Sequence, residues 1–414
     1  MESIENKKVK KEPFLVTVFG LFVLFYMAHK LLPAVGYYTP AIAYLGCFAI
    51  IAALLVTSTR KIASSKQFVV LLLVFALNVT ELIYMFCSNV DFMSIALSLY
   101  GELQTFLFGW IALWYISYGN KTKTKNLLYI IFAFYVITAI TTAIGNLRHP
   151  GASRMLATSL REYNVSLYNQ YVSENIGGFS FIYGLMMVMP LVIYMMKKRK
   201  VNLLLATAGL IFAGAAVVCS EYTTALIVFV ANMPLLLFKG LTTKKIILLI
   251  VICIIVMAIA STVIASAIDE ISELFSSQTI SSRLKYIAAT LRGEDNLSDI
   301  EGSSDRMTLY KKAWDEILES NFLGNWGATD GSGHSMMLDT VVKYGVLGIA
   351  LIAIMYGFIY KFAIYPYRKK EYYPYFVWVY LISIFLAALN PDPNLFVLIC
   401  VLPLFAHTVD DKQA

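Results

Sequence analysis

Residues 176–200 read IGGFSFIYGLMMVMPLVIYMMKKRK, an apolar run that ends in four consecutive basic residues. An uncharged apolar run of about 20 residues is long enough for a helix to cross a bilayer. Basic residues directly after such a run are typical of the cytoplasmic side of a membrane protein. The stretch therefore predicts a membrane-spanning helix over 176–196 whose carboxyl end faces the cytoplasm.

Apolar runs of similar length recur along the whole chain. Of its 414 residues, 59% are hydrophobic and 14% are charged, whereas soluble domains are roughly 45–50% apolar and about 25% charged. We predict one all-α, polytopic membrane domain over 1–414 with about twelve spans. The predicted spans are 13–32, 38–57, 67–87, 93–118, 126–145, 176–196, 201–219, 221–238, 245–267, 336–360, 375–391 and 394–409.

Lysine and arginine residues predict the orientation of these spans. Under a twelve-span arrangement, alternate loops are basic and fall on one side, whereas the short loops 88–91 and 390–394 on the opposite side contain no Lys or Arg. The basic segments are 7–11, 60–66, 121–125, 197–200, 239–245 and 361–370. Because basic loops stay in the cytoplasm, both termini are predicted to lie there.

The remaining composition excludes several classes of protein. The net charge of +7 lies mostly in short loops between apolar runs, so it sets topology, and no nucleic-acid partner is expected. The five cysteines lie in or beside apolar runs without a CxxC pair, which favours neither a disulfide framework nor a zinc site. Basic residues 7–11 precede a full-length apolar run without a small-residue cleavage pattern, so we expect a retained first helix.

Two long loops, 146–175 and 268–335, are predicted to lie on the outer face, and the second is too long for a simple connection. Within the second loop, an amphipathic helix is predicted near 304–319. Its apolar residues follow steps of three and four and are predicted to face the membrane or the bundle. These residues are Met307, Tyr310, Trp314 and Ile317. Arg306 falls in the first turn, where it either binds an anion such as phosphate beside free backbone N–H groups or is simply solvated.

His334 follows a turn-rich stretch and stands with Ser335 at the head of the predicted tenth span, near the outer membrane surface. A histidine there is a candidate general base or a hydrogen-bond donor to phosphate. The alternative interpretation is an exposed polar residue.

The first long loop contains arginines, including Arg154 and Arg161, but no lysine. Arginine binds phosphate in a planar, bidentate manner, although a mobile hydrophilic loop would also be arginine-containing. Glu221 lies in an otherwise apolar hairpin, and carboxylates at membrane depth are candidate functional groups.

Asn175, Gly177 and Gly178 come at the end of the first long loop, directly before the sixth predicted span. Paired glycines at the start of a helix permit close approach of the backbone to a ligand. They also permit tight helix packing, which is the more common reason in membranes.

The second long loop resembles the best-marked region of bacterial O-antigen and capsular polysaccharide polymerases and the related O-antigen ligases. That region has a Ser/Gly–Arg start, an aromatic residue, a Leu-Gly turn, a histidine and then a helix with an early glycine. The matching positions here are Ser304, Arg306, Tyr310 with Trp314, Leu323-Gly324, His334-Ser335, Tyr344-Gly345 and Leu347-Gly348. The resemblance extends to twelve spans, internal termini and the placement of the two long loops.

The resemblance implies glycosyl transfer at the outer face of a bacterial cytoplasmic membrane. The substrate would be an undecaprenyl-pyrophosphate-linked oligosaccharide, transferred as a repeat unit onto another without metal or cofactor. The implied site combines His334 as base, Glu221 as the rival base, and pyrophosphate-binding Arg306, Arg154 and Arg161, supported by Tyr310, Trp314, Ser335, Asn175, Gly177 and Gly178. Implied partners are membrane lipid, a chain-length regulator and a repeat-unit flippase.

The chain departs from this family in two places. Serine stands after His334 where asparagine is usual, and Cys219-Ser220-Glu221 stands where the family often has Ser-Arg. Arg154 or Arg161 would then supply the missing positive charge. The alternatives left open are a ligase that uses another acceptor, and a transporter or flippase of lipid-linked oligosaccharides.

Overall fold

The protein is described here from a computed structural model. The described residues are 14–57, 65–87, 92–118, 121–156, 164–238, 240–248, 261–273, 281, 284–285, 288, 304–326 and 333–410. Across these residues the regular structure is helical and there is no β-strand, which confirms the all-α prediction for this part of the chain.

The helices of the amino-terminal half follow the predicted apolar runs, with two short helices inside the first long loop. They are α1 (Phe14–Leu31), α2 (Pro33–Tyr38), α3 (Ala41–Thr57), α4 (Lys66–Cys87), α5 (Phe92–Tyr118), α6 (Lys121–Arg148), α7 (Ala152–Met155), α8 (Val165–Ser173) and α9 (Phe179–Lys197).

The carboxyl-terminal half contains the remaining helices. They are α10 (Leu203–Cys219), α11 (Thr223–Asn232), α12 (Pro234–Leu237), α13 (Ser261–Glu273), α14 (Ser304–Glu319), α15 (Met336–Tyr344), α16 (Val346–Phe358), α17 (Tyr373–Leu389) and α18 (Leu402–Val409). A π-helical turn over Ile359–Ile364 and a 3-10 turn over Tyr365–Tyr367 extend α16, and a π-helical turn over Val397–Val401 precedes α18.

Three helical segments of the described chain are long and apolar enough to cross a membrane: Lys121–Arg148, Phe179–Lys197 and Val346–Tyr367. Shorter apolar helices of 10–17 residues accompany them. The apolar helices are compatible with membrane insertion, and the twelve-span count stays a prediction.

The predicted tenth span, 336–360, is wrong at its start. The helix breaks at Gly345, whose φ of +58° and ψ of −137° cannot continue a helix, so α15 is a separate helix and the apolar helix begins at Val346. The predicted eighth span also begins later than 221. Residues 220–222 form the turn, with Glu221 at a φ of +61°, and α11 starts at Thr223.

Helix α9 is the most enclosed of the three long apolar segments, since 72% of its apolar stretch is buried inside the protein. A buried polar bridge joins it to two neighbours. Asn232 of α11 donates from Nδ2 to the Met186 carbonyl at 3.0 Å and accepts from Trp378 Nε1 of α17 at 2.8 Å. The Asn232 side chain therefore links α9, α11 and α17. Both of its amide atoms have hydrogen-bond partners, so neither is buried unpaired.

Basic residues that the sequence placed on one side do meet at one end of the bundle. Lys121 Nζ donates to the Asp410 carbonyl at 2.6 Å, Lys200 Nζ to the Val409 carbonyl at 3.0 Å, and Lys370 Nζ to Asp410 Oδ1 at 2.5 Å. These contacts leave the described residues 146–156, 164–178, 220–222 and 389–394 at the other ends of the same helices.

Candidate functional site

The described residues of the first long loop, 146–156 and 164–175, are organised around Ser153. Asn146 Nδ2 donates to Ser153 Oγ at 2.7 Å, and the Ser153 backbone N–H returns a bond to Asn146 Oδ1 at 3.0 Å. Ser153 Oγ in turn donates to the Gly177 carbonyl at 2.7 Å. All three residues are buried, so this network fixes the start of the loop against its end and positions the neighbouring Arg154.

The short helix α8 packs into the same loop. Tyr171 is buried against Ala152 and Ile176. The pKa of Tyr171 is raised, mainly by this burial and to a smaller extent by the negative charge of the Glu174 carboxylate. Beside it, His149 Nε2 lies 3.3 Å from Glu174 Oε2. The loop therefore has a small core and a charged outer face.

Arg154 lies beside the hairpin that contains Glu221. Its Nη1 donates a long hydrogen bond, 3.5 Å, to the Glu221 carbonyl, and a Cβ placed on Gly151 would stand 3.7 Å from Glu221 Oε2. The Tyr222 hydroxyl, 2.5 Å from the Ser153 carbonyl, ties the hairpin to the loop. Arginine from the first loop is thus present at the hairpin whose own sequence lacks one.

Asn175 connects the loop to the bundle through all of its polar side-chain atoms. Oδ1 accepts from the Ala34 backbone N–H at 3.1 Å, and Nδ2 donates to the hydroxyls of Thr138 at 3.3 Å and Thr141 at 2.9 Å. Its φ of +60° lies in the left-handed region that asparagine tolerates well. These contacts give Asn175 a structural role.

Gly177 and Gly178 are positions of close packing. A Cβ on Gly177 would come within 2.2 Å of the Phe181 ring, and one on Gly178 would lie 3.5 Å from Leu156 Cβ. The Gly177 backbone N–H also donates to the Thr142 hydroxyl at 2.8 Å. Of the two explanations that the sequence left open, these contacts favour packing over close approach to a ligand.

The Leu323-Gly324 turn of the second long loop packs against the break between α15 and α16. Gly324 in the turn and Gly345 at the break make this close contact possible. The Val346 N–H donates to the Phe322 carbonyl at 2.9 Å. A Cβ on Gly345 would stand 2.0 Å from that carbonyl oxygen, and a Cβ on Gly324 would stand 2.6 Å from the Lys343 carbonyl oxygen. Both glycines have a positive φ, so neither position readily accepts another residue.

His334 is half-buried directly before the amino terminus of α15. The next residue, Ser335, caps this helix: its Oγ accepts from the Leu338 N–H at 3.1 Å, and its own N–H faces Asp339 Oδ2 at 3.4 Å. This reciprocal arrangement is similar to a capping box, except that the carboxylate comes from the fourth helical residue and not from the third. Ser335 therefore fixes the backbone that carries His334.

The amphipathic helix predicted near 304–319 is present as α14, and two of its four predicted apolar residues, Tyr310 and Ile317, contact the neighbouring structure. Ala313 and Ile317 pack against Val342 of α15, and the Tyr310 hydroxyl donates to the Leu389 carbonyl at 3.2 Å. Trp314, predicted to face the same way, is 51% exposed. A residue next to Ala313 along the helix is turned away by about 100°, because α-helices have 3.6 residues per turn.

The structure leaves two of the predicted arginines undefined. Arg306 falls in the first turn of α14, where its side chain lies outside the described residues, and Arg161 lies wholly outside them. Their predicted contacts with pyrophosphate therefore stay predictions.

The 390–394 turn joins the two loop regions. The Met336 N–H, next to Ser335, donates to the Asn390 carbonyl at 3.0 Å. The Tyr183 hydroxyl donates to Asn390 Oδ1 at 3.2 Å, and the Tyr183 ring lies 6.1 Å from the Tyr222 ring. A continuous chain of contacts thus runs from the hairpin beside Arg154 to the head of α15 beside His334.

Sequence reasoning used the 390–394 turn for topology alone and missed its polar groups. Asp392 accepts from the Ser180 hydroxyl and from the Asn394 N–H, and Asn394 Nδ2 donates to the Ser180 carbonyl at 2.6 Å. The available signal was three amide or carboxyl side chains within Asn-Pro-Asp-Pro-Asn, next to two apolar runs.

An apolar groove of about 540 Å³ runs between α6, α9 and α10. Its walls are mainly aliphatic, with Tyr129 and Lys200 near the basic end and Tyr135 further along α6. The Tyr135 hydroxyl and the Asn394 amide both lie against Gly184, 2.6 and 2.9 Å from the place of its missing Cβ. The groove therefore ends close to the 390–394 turn.

Metal-ligating residues do not gather in the described part of the chain: no group of three or more His, Cys, Asp or Glu side chains occurs there. Cys47, Cys219 and Cys400 are free thiols. The candidate functional groups at the described site are His334, Glu221, Arg154 and the polar groups around Asn390.

Comparisons with protein-family models, with curated proteins and with solved structures found no match to this chain.

Proposed function

We propose that the protein is a membrane glycosyltransferase that joins undecaprenyl-pyrophosphate-linked oligosaccharide repeat units into a polysaccharide. The observation that carries the proposal is the contact chain from Arg154 and Glu221 through Tyr183 and Asn390 to the head of α15. The Arg154 cation, the candidate general bases Glu221 and His334, and the Asn390 amide come from distant parts of the sequence. In the structure they lie at one end of a bundle of apolar helices.

In the proposed reaction, a hydroxyl oxygen of the acceptor unit forms a bond to the anomeric carbon of the donor sugar. The bond between that carbon and the pyrophosphate oxygen breaks, and the pyrophosphate leaves with the bonding electrons. His334 or Glu221 takes the proton from the acceptor hydroxyl. Arg154, together with Arg306 or Arg161, stabilises the negative charge that develops on the leaving group.

Arg154 suits this role because its backbone is held in place while its side chain stays partly accessible. The buried Ser153 network holds its backbone, while its own side chain is only partly buried and donates a long bond to the neutral Glu221 carbonyl. A positioned guanidinium can then bind two phosphate oxygens at once.

The apolar groove between α6, α9 and α10 supports a lipid-linked substrate. A polyprenyl tail is a long apolar chain, and a groove with aliphatic walls removes it from contact with polar groups. Because the groove ends near the 390–394 turn, one substrate could place its tail in the groove and its sugars at the turn.

The proposal includes twelve spans, both termini in the cytoplasm, and residence in a bacterial cytoplasmic membrane, with a chain-length regulator and a repeat-unit flippase as partners. The convergence of Lys121, Lys200 and Lys370 on the last helix supports a common cytoplasmic side. The loops at the opposite end would then face outwards.

The test is glycan extraction from a deletion strain that carries the wild type, His334→Ala or Arg154→Ala at matched membrane levels. We expect single lipid-linked repeat units in the deletion strain, long chains with the wild type, and single units with both variants. Long carrier-linked chains that fail to reach a final acceptor would identify a ligase instead. Repeat units confined to the cytoplasmic leaflet would identify a flippase.

A further inference from the structure

The 390–394 turn contains two buried polar atoms that have no hydrogen-bond partner among the described residues: Asn390 Nδ2 and Asn394 Oδ1. Asn390 is fully buried, and Asn394 is 7% exposed. Buried polar groups are nearly always paired, and an unpaired one costs roughly 1–3 kcal/mol. Two such atoms on one five-residue turn therefore point to a ligand that pairs with them.

The turn is rigid enough to act as a preformed site. Pro391 and Pro393 fix the backbone φ on either side of Asp392, and the Ser383 hydroxyl holds the Pro393 carbonyl at 2.9 Å. Asp392 Oδ1 accepts from the Asn394 N–H at 2.7 Å. The backbone of the turn is therefore fixed. A ligand would reach the two enclosed amide atoms through a local shift of the side chains that cover them, which costs less entropy than ordering the whole turn.

The identity of the unpaired atoms indicates the chemistry of the ligand. Asn390 offers a donor and Asn394 offers an acceptor. A cation would pair with the acceptor alone, and an anion with the donor alone. A hydroxyl group both donates and accepts, so the hydroxyl groups of a sugar can pair with a free donor and with a free acceptor. The Asp392 carboxylate on the same turn is a further acceptor.

We propose that the 390–394 turn binds hydroxyl groups of the acceptor sugar, an inference that rests on the proposed glycosyl transfer. The turn touches the head of α15, because the Met336 N–H donates to the Asn390 carbonyl, and Met336 is two residues from His334. A sugar held by Asn390 and Asn394 would bring its reacting hydroxyl towards that histidine. Both asparagines bind substrate, whereas the proton is taken by His334 or Glu221.

The experiment measures chain formation by the purified full-length protein in proteoliposomes, with lipid-linked repeat units extracted from the deletion strain. Free repeat-unit oligosaccharide, released from the lipid by mild acid, serves as the competing probe. Asn390→Ala is compared with Asn232→Ala, since Asn232 is equally buried but has both amide atoms paired within the protein. Asn394→Gly, which retains the φ of +52°, is the second variant.

We expect Asn390→Ala and Asn394→Gly each to raise KM and the inhibitory concentration of the probe about tenfold, the effect of one lost hydrogen bond. Asn232→Ala should lower the unfolding temperature and leave both constants unchanged. If the wild type forms chains but all three variants keep its KM and inhibition, the unpaired atoms hold only water and the inference is wrong. A wild type that forms no chains would instead contradict the proposed function itself.

Discussion

The two loop regions at this end of the bundle are held in place by different means. The first loop depends on buried side chains, in which Asn146, Ser153 and Asn175 bind backbone and hydroxyl groups of neighbouring helices. The Leu323-Gly324 turn of the second loop depends on backbone contacts that need the small size of Gly324 and Gly345. Side-chain anchors tolerate conservative exchange, whereas backbone-on-backbone contacts leave no space for any Cβ.

The largest effect is expected for Gly345→Ala. Its new Cβ would meet the Phe322 carbonyl oxygen at 2.0 Å, and alanine would be strained at a φ of +58°. Overpacking and backbone strain together should cost about 3 kcal/mol or more in the free energy of unfolding and abolish chain formation.

The control is Gly357→Ala, because a Cβ there meets nothing within 4 Å inside a helix. Thermal unfolding in detergent should show an unchanged or slightly higher temperature for this variant. Equal behaviour of the two alanine variants would show that the glycine contact does not hold the second loop.

The next effect is expected for Asn175→Ala, which removes the bonds to Ala34, Thr138 and Thr141. At about 1 kcal/mol for each bond, the loss should be about 3 kcal/mol of stability. Asn175→Gly loses the same bonds but accepts the φ of +60°, so it should be less destabilising in the same thermal unfolding measurement. An alanine variant that keeps its stability and loses activity would mean that Asn175 contacts substrate.

A smaller effect separates two neighbours at the head of α15. Ser335→Ala removes the helix cap and should cost about 1 kcal/mol of stability while part of the activity remains. His334→Ala should abolish chain formation. An inactive Ser335→Ala variant beside an active His334→Ala variant would contradict this assignment of roles.

The smallest effect is expected for Trp314→Ala. Since the side chain is 51% exposed, its removal should change stability by about 0.5 kcal/mol or less and leave chain length unchanged. Tyr310→Phe is the matched comparison on the same helix, because it loses the bond to Leu389, about 1 kcal/mol. A shortened glycan from Trp314→Ala would show that this exposed ring contacts the substrate.

Much of the fold could be predicted because apolar runs and basic loops act locally. The helices over Phe14–Leu31, Ala41–Thr57 and Lys121–Arg148 follow directly from run length. The break at Gly345 was not predicted, although the fully apolar run begins only at Val346, because a single glycine within a helical pattern does not by itself end a helix. Only the close approach of the Phe322 carbonyl makes that glycine necessary.

The candidate site was predicted less fully, for a similar reason. The arginines and His334 stand out by residue type, and Arg154 does reach the hairpin with Glu221. Asn390 and Asn394 draw attention only when their neighbours are known, because an unpaired amide is a property of the folded protein. Likewise, Ala313 of α14 is buried and its neighbour Trp314 is exposed because Ala313 lies on the side of the helix that contacts α15.

The central claim is that both loop regions serve one reaction site, and a double-mutant cycle tests it most directly. The rate of chain formation in proteoliposomes would be measured for the wild type, for Arg154→Lys and His334→Gln, which keep part of each side chain's hydrogen bonding and so a measurable rate, and for the double variant. Residues that act together on one transition state give non-additive losses, so the double variant should be no slower than the slower single variant. Losses that multiply would contradict the account, because the two residues would then act independently.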